Sequence, residues 1–190
     1  MIVLASRSPR RRQLLDMLGV AHVVDPADIV ERAEPGELPE TLAVRLAREK
    51  ALVVAARRPG DWVLAADTVV VLGDEMLGKP DGPDSAKRML ARLAGKEHRV
   101  ITAVALARDA EIHERCDVTR VWFRELDTES IDAYVATGEP LDKAGAYGLQ
   151  GYGSVLVRRI DGDCFGVIGM PVRLVVDLLG VAGMPYRFTR

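Results

Sequence analysis

An α/β fold is the class this sequence predicts, and three observations lead to it. Apolar, β-branched runs alternate along the chain with segments of helical periodicity. The opening run, Met1 to Ala5, is apolar throughout, as a buried strand should be. Arg99 to Leu106 and Ile112 to Phe123 are separated only by a polar turn around Asp109, which makes them an antiparallel pair. A chain of 190 residues, 48% hydrophobic and 28% charged, can bury a sizeable core as one domain or as two small lobes.

The elements follow in order. After the first strand, Ser8 is placed to cap a helix and Pro9 to occupy its first position. Leu14, Leu15 and Leu18 form its apolar stripe, and Gly19 closes it. Val20 to Val24 reads as a second strand, followed by an acidic loop, DPADIVERAEPGELPE. A longer helix runs from Pro39 to Arg57, with Leu42, Leu46, Ala47, Leu52 and Val53 on its apolar side and Arg45, Arg48, Glu49 and Lys50 away from it. Trp62 to Leu72 is a strand interrupted only by Asp67 and Thr68, and Gly73-Asp74 is a turn. Helices over Asp84 to Leu93 and Asp127 to Ala136 flank the antiparallel pair. The glycine-rich stretch DKAGAYGLQGYGS reads as a loop built from backbone. Two short strands around Asp161-Gly162 and a last helix opening at Pro171 complete the pattern.

Composition narrows the function classes. With 26 Lys plus Arg against 28 Asp plus Glu, the net charge of −2 creates no global field toward nucleic acid or an anionic membrane. Cys116 and Cys164 are far apart and outside any CxxC pair, which argues against a zinc site or a disulfide framework. No apolar run approaches the roughly 20 residues of a membrane helix, and MIVLA lacks the preceding charges and long apolar core of a secretory signal. A cytoplasmic location is the expectation.

Three constellations bear on chemistry. Gly73 to Lys79 matches GxxxxGK, but Pro80 stands where a phosphate-binding loop needs Ser or Thr, and it lacks the N–H of a phosphate cradle. A turn followed by extended chain is expected instead, leaving Lys79 available. Asp67 lies in the apolar run VLAADTVVVL, where a carboxylate needs a partner; capping a neighbouring backbone, general-base action and metal ligation all fit. Arg10, Arg11 and Arg12 occupy the first turn of a helix, whose positive end disfavours cations by about 0.3–1 kcal/mol each. With Ser6, Ser8 and the free helix N–H groups they form a natural anion site. Glu31, Glu34 and Glu37 offer oxygen ligands for a hard cation. His22, His98 and His113 show no metal-ligand spacing.

Taken together, LASRSPRRRQLL, RLAREKA, AADTVVVL, LGKP, TAVAL, PLDKAGAYGLQG and VIGMPV resemble, in order and over nearly the whole chain, the Maf family of nucleoside triphosphate pyrophosphatases. The resemblance implies a single domain over residues 1–190 with a mixed twisted sheet flanked by helices and two lobes around a deep cleft. It implies hydrolysis of a nucleoside triphosphate to monophosphate and pyrophosphate with Mg²⁺ or Mn²⁺, and a possible homodimer without membrane or stable nucleic-acid partners. By position, Asp67 matches the family's proton acceptor, and Arg10, Thr68 and Gln150 match positions tied to substrate choice. Glu31, Lys50 and Lys79 match polar residues lining the family's cleft, with Glu34 an alternative to Glu31. Glu31 and Asp67 would then hold the metal. Ser6, Ser8 and Arg11 would join the substrate contacts, Arg10 mattering most of the three arginines and Arg12 remaining solvated. The DKAGAYGLQG form resembles the branch acting on dTTP and UTP; the alternatives are the branch acting on 7-methyl-GTP and a non-catalytic nucleotide- or nucleic-acid-binding regulator of cell division.

Overall fold

A computed structural model of the chain describes residues 1–188. Its sheet is mixed and flanked by helices, as expected. Strands β1 (Ile2–Leu4), β2 (His22–Val24), β3 (Trp62–Leu72), β4 (Glu75–Leu77), β5 (Glu97–Arg108), β6 (Glu111–Phe123) and β7 (Val157–Asp161) form one sheet. The order is β2-β1-β3-β5-β6-β7, with β4 on β3. β1 runs parallel to β2 and β3, whereas β3–β4 and β6–β7 are antiparallel. The helices are α1 (Pro9–Met17), α2 (Pro39–Ala55), α3 (Pro83–Leu93), α4 (Thr128–Ala136), α5 (Cys164–Ile168) and α6 (Val172–Val181). None of the described helices is long and apolar enough to cross a membrane.

The chain divides into two compact units, and β3 passes from one to the other between Asp67 and Thr68. The first unit comprises Met1–Asp67, Thr102–Asp117 and the segment from Gly169 onward. β1 is buried along its length and pairs in parallel on both edges, with Ile2 opposite both His22 and Trp62. Leu14 and Leu15 of α1, and Leu174, Val175, Leu178 and Leu179 of α6, are also buried. In α2 the buried face is Leu42, Ala43, Leu46, Ala47, Lys50, Ala51 and Val54. This corrects the expected helix face: Leu52 and Val53 are exposed, while Lys50 points inward. Four residues after Leu46 and three after Ala47, Lys50 must share their face whatever its charge. Outside, Arg48 grips Glu114 of β6 through two hydrogen bonds of 2.6 Å, fixing α2 to the sheet.

The second unit comprises Thr68–Ile101 and Val118–Ile168. Its core gathers Val70, Leu77, Leu90, Leu93, Val100, Val121, Phe123, Ile131, Val135, Tyr147 and Leu156 from the sheet, α3, α4 and the glycine-rich segment. Gly73 turns β3 into β4 with φ of +61°, so the GxxxxGK match is a hairpin. The glycine-rich stretch winds through short 3₁₀ turns at Glu139–Asp142, Ala144–Ala146 and Tyr152–Leu156. Only one of the two strands expected around Asp161-Gly162 forms. The Asp163 side chain accepts hydrogen bonds from the N–H groups of Phe165 and Gly166 at 2.9 and 3.4 Å and starts α5 in place of the second strand.

Candidate active site

In the first unit, β1 ends at Leu4 and the chain turns through Ser6 into α1. Ser6 is buried, and its Oγ accepts the Ser8 N–H at 3.1 Å and Nη1 of Arg11 at 3.4 Å. Ser8 sits at the N-cap position as expected, but its hydroxyl makes no capping bond; its own N–H is directed to Ser6 instead. Ser6 therefore organises the turn that sequence credited to Ser8. No acidic residue occupies the first turn of α1.

The three arginines are not equivalent. Arg12 is exposed, whereas Arg10 and Arg11 are half-buried. Arg11 Nε donates to the Gly169 carbonyl at 2.9 Å, so its guanidinium is held between Ser6 and the start of the C-terminal segment. Burial pulls the Arg11 pKa below its ordinary value, opposed by the negative charges of Asp67 and Glu31 and reinforced by Arg10. Arginine stays cationic at neutral pH regardless.

Those two carboxylates meet on Lys50. Its Nζ lies 2.6 Å from Asp67 Oδ1 and 2.7 Å from Glu31 Oε1. Lys50 and Asp67 are almost completely buried, at 7% and 5% exposure, while Glu31 reaches in from the solvated acidic loop. Glu37 is occupied by Arg45, which donates Nε and Nη2 at 2.7 Å each, and by the Glu34 N–H, which together pull its pKa down to about 2. Among the described residues no group of three or more His, Cys, Asp and Glu side chains converges as a metal cage. Two carboxylates aimed at one cation nevertheless fit Mg²⁺ or Mn²⁺, because such ions are commonly held by one or two carboxylates with substrate phosphates completing the shell.

The remaining sequence candidates lie in the second unit. Thr68 follows Asp67 in β3 and is half-buried. Lys79 is exposed just beyond β4, and the Gly78 carbonyl before it accepts the Gly145 N–H at 3.1 Å, tying this loop to the glycine-rich segment. In that segment the Gln150 Oε1 is buried without a protein hydrogen-bond partner. The loop around it is pinned by residues the sequence did not single out. Glu139 accepts the Tyr152 N–H at 2.8 Å, the Gly153 N–H at 2.9 Å and the Tyr134 hydroxyl at 3.0 Å. The only signal for Glu139 was its place just before Pro140 and the glycines.

None of the histidines joins the site. His98 is buried in the second unit against Phe123 and Tyr147, with Nε2 2.8 Å from the Tyr147 hydroxyl, and burial pushes its pKa down to about 4. His22 and His113 contact the Val20 carbonyl and Glu111. Cys116 and Cys164 are exposed free thiols.

Known proteins with this pattern are numerous. The chain is 51% identical over 187 residues to a protein of Myxococcus xanthus named dTTP/UTP pyrophosphatase, covering 97% of this chain and 94% of that one. Proteins of the same name from Anaeromyxobacter dehalogenans and Geobacter metallireducens are 49% and 50% identical, covering 100% and 96% of this chain and 97% and 96% of theirs. Among solved structures, the Staphylococcus aureus Ham1 protein shares the fold at a TM-score of 0.50 and 13% identity, over 82% of this chain and 79% of that one. The family model described as Maf-like protein matches residues 1–182, and with relatives near half identity over nearly their full length the chain belongs to the Maf family.

Proposed function

We propose that the protein hydrolyses dTTP and UTP to the nucleoside monophosphate and pyrophosphate with a divalent metal ion, modified pyrimidine nucleotides being natural further substrates in a house-cleaning role. The observation that carries this reading is the convergence of Asp67 and Glu31 on the Lys50 ammonium, within the electrostatic reach of Arg11. The names of the relatives supply the nucleotides.

A triphosphate carries about four negative charges, and phosphoryl transfer asks mainly for positioning and charge stabilisation. Arg10, Arg11, the N–H groups of α1 and Lys79 are the cationic and dipolar groups assigned to the phosphates. Lys50 keeps Asp67 and Glu31 converged. Glu31 and Asp67 would hold the metal ion, which supplies Lewis-acid polarisation of the phosphate oxygens when bound. Asp67 orients the attacking water and accepts its proton as the water oxygen bonds to the α-phosphorus. The bond from the α-phosphorus to the oxygen leading to the β-phosphate breaks, and pyrophosphate leaves with that oxygen. Gln150 offers a donor and an acceptor, the pair needed by the imide edge of uracil or thymine. Exposed cysteines kept as thiols suit a cytoplasmic setting.

The test is product analysis of the purified protein with Mg²⁺ or Mn²⁺ and a panel of nucleoside triphosphates. Monophosphate plus pyrophosphate from dTTP and UTP is expected. Diphosphate plus phosphate overturns the reaction, and activity confined to 7-methyl-GTP overturns the specificity.

A further inference from the structure

We propose that Glu139 is a positioning residue for base selection: with the Tyr134 hydroxyl it fixes the backbone of residues 148–153 so that Gln150 is presented in one conformation. The proposal rests on the reading of Gln150 as the residue that contacts the base.

The geometry brackets Gln150 from both sides. Two residues before it, the Gly148 N–H points to the Tyr134 hydroxyl at 3.4 Å. Two and three residues after it, the N–H groups of Tyr152 and Gly153 end on the Glu139 carboxylate. The Tyr134 hydroxyl donates in turn to that carboxylate, so a single anion gathers both ends of the bracket. Bonds from N–H to an ionised acceptor are stronger than neutral ones and set direction as well as distance.

Glycine spacing makes room for this anion. Gly151 has φ of +83°, and a Cβ there would fall 2.5 Å from Glu139 Oε2. A Cβ on Gly153 would fall 2.3 Å from the Gly148 carbonyl oxygen and 2.6 Å from the Tyr134 hydroxyl. The loop is thus compact because it is built against a carboxylate. Its buried Gln150 Oε1 lacks a protein partner, an unfavourable state that a loose loop would relieve by turning the amide to water. Glu139 is what opposes that turn, and a held acceptor suits a ligand donor such as the imide N–H.

The experiment compares wild type with Glu139→Gln, Tyr134→Phe and Gln150→Ala, measuring kcat and KM for UTP and CTP with Mg²⁺, alongside melting temperature. Cytosine lacks the imide N–H, so the UTP to CTP ratio of kcat/KM reads the loop's chemistry. Glu139→Gln keeps the shape but turns one acceptor into a donor facing the Tyr152 N–H. It is expected to lower the ratio about tenfold or more, mostly through KM for UTP. Tyr134→Phe, which leaves the carboxylate in place, should move the ratio the same way by less. Should Glu139→Gln fail to fold, Tyr134→Phe and its amide exchange at Gly148 decide the matter in its place. Lost discrimination in Gln150→Ala with wild-type ratios in both other variants overturns the role of Glu139 alone. A normal ratio in Gln150→Ala with a reduced one in Glu139→Gln overturns the role of Gln150 and, with it, the presentation of that residue by Glu139.

Discussion

The Lys50 ammonium stands 2.6 Å from the Asp67 carboxylate, and both are largely buried. Each charge needs an opposite charge beside it there. Removing one partner of a buried pair costs about 3–5 kcal/mol because the survivor stays buried and uncompensated. Lys50→Met is therefore expected to destabilise the protein by roughly that amount. Asp67→Asn should cost less, since Glu31 still faces the ammonium. Urea unfolding of both variants and of the double variant checks this, the double being more stable than the sum of the two losses requires.

Asp67→Asn is also expected to lower kcat by about 10²–10⁴, the usual worth of a positioned base, while nucleotide binding persists. Calorimetric titration with a non-hydrolysable triphosphate, run beside turnover assays, separates the two effects. Near-normal turnover would remove Asp67 from its role.

Glu31 is the outer carboxylate of the trio, so its replacement leaves the buried pair intact. Mg²⁺ should raise the melting temperature of the wild type, since a ligand bound only by the folded state stabilises it. Glu31→Gln should abolish most of that rise and shift the Mg²⁺ requirement of turnover to higher concentration. Glu34→Gln should do neither.

The arginines of α1 are expected to separate by alanine substitution. Arg12→Ala should leave kcat/KM near the wild-type value, because its side chain is solvated. Arg11→Ala should reduce both kcat/KM and the melting temperature, because it gives up the Gly169 and Ser6 contacts as well as a charge near Asp67. Arg10→Ala should act on kcat/KM and on substrate preference.

His98 predicts an acid limit to stability. Its folded pKa of about 4 lies below the ordinary value of 6.5 because burial disfavours the charged ring. Between those values the unfolded chain binds a proton that the folded protein refuses. Stability is thus full above pH 6.5 and falls as pH drops toward 4, by about 3 kcal/mol from this group. Chemical unfolding at pH 7, 5.5 and 4.5 should show a shallower decline in His98→Phe than in the wild type.

The fold was legible where pattern and chain geometry agree. β3 occupies the expected Trp62–Leu72, and α4 starts on Asp127, whose carboxylate accepts the Ser130 N–H. The failures are places where a side chain outvoted the pattern. Asp163 turned an expected strand into α5, and Lys50, which helical spacing places on the apolar face of α2, is tolerated there because Asp67, 17 residues on, neutralises it. The site divides in the same way. Local chemistry marked Asp67 and the arginines, since a carboxylate in an apolar run and cations at a helix start are each locally unfavourable. Glu139 is inconspicuous in sequence, because its meaning lies in amides 13 and 14 residues away.

The clamp on Arg11 has a consequence in conformational entropy. A free arginine side chain carries about 2 kcal/mol of rotamer entropy, which an anion must normally suppress when it is grasped. Here the Ser6 hydroxyl and the Gly169 carbonyl freeze the guanidinium as the chain folds. The ordering is charged to folding, so under the proposed function a phosphate arriving at Arg11 would meet a guanidinium whose rotamer freedom is already spent.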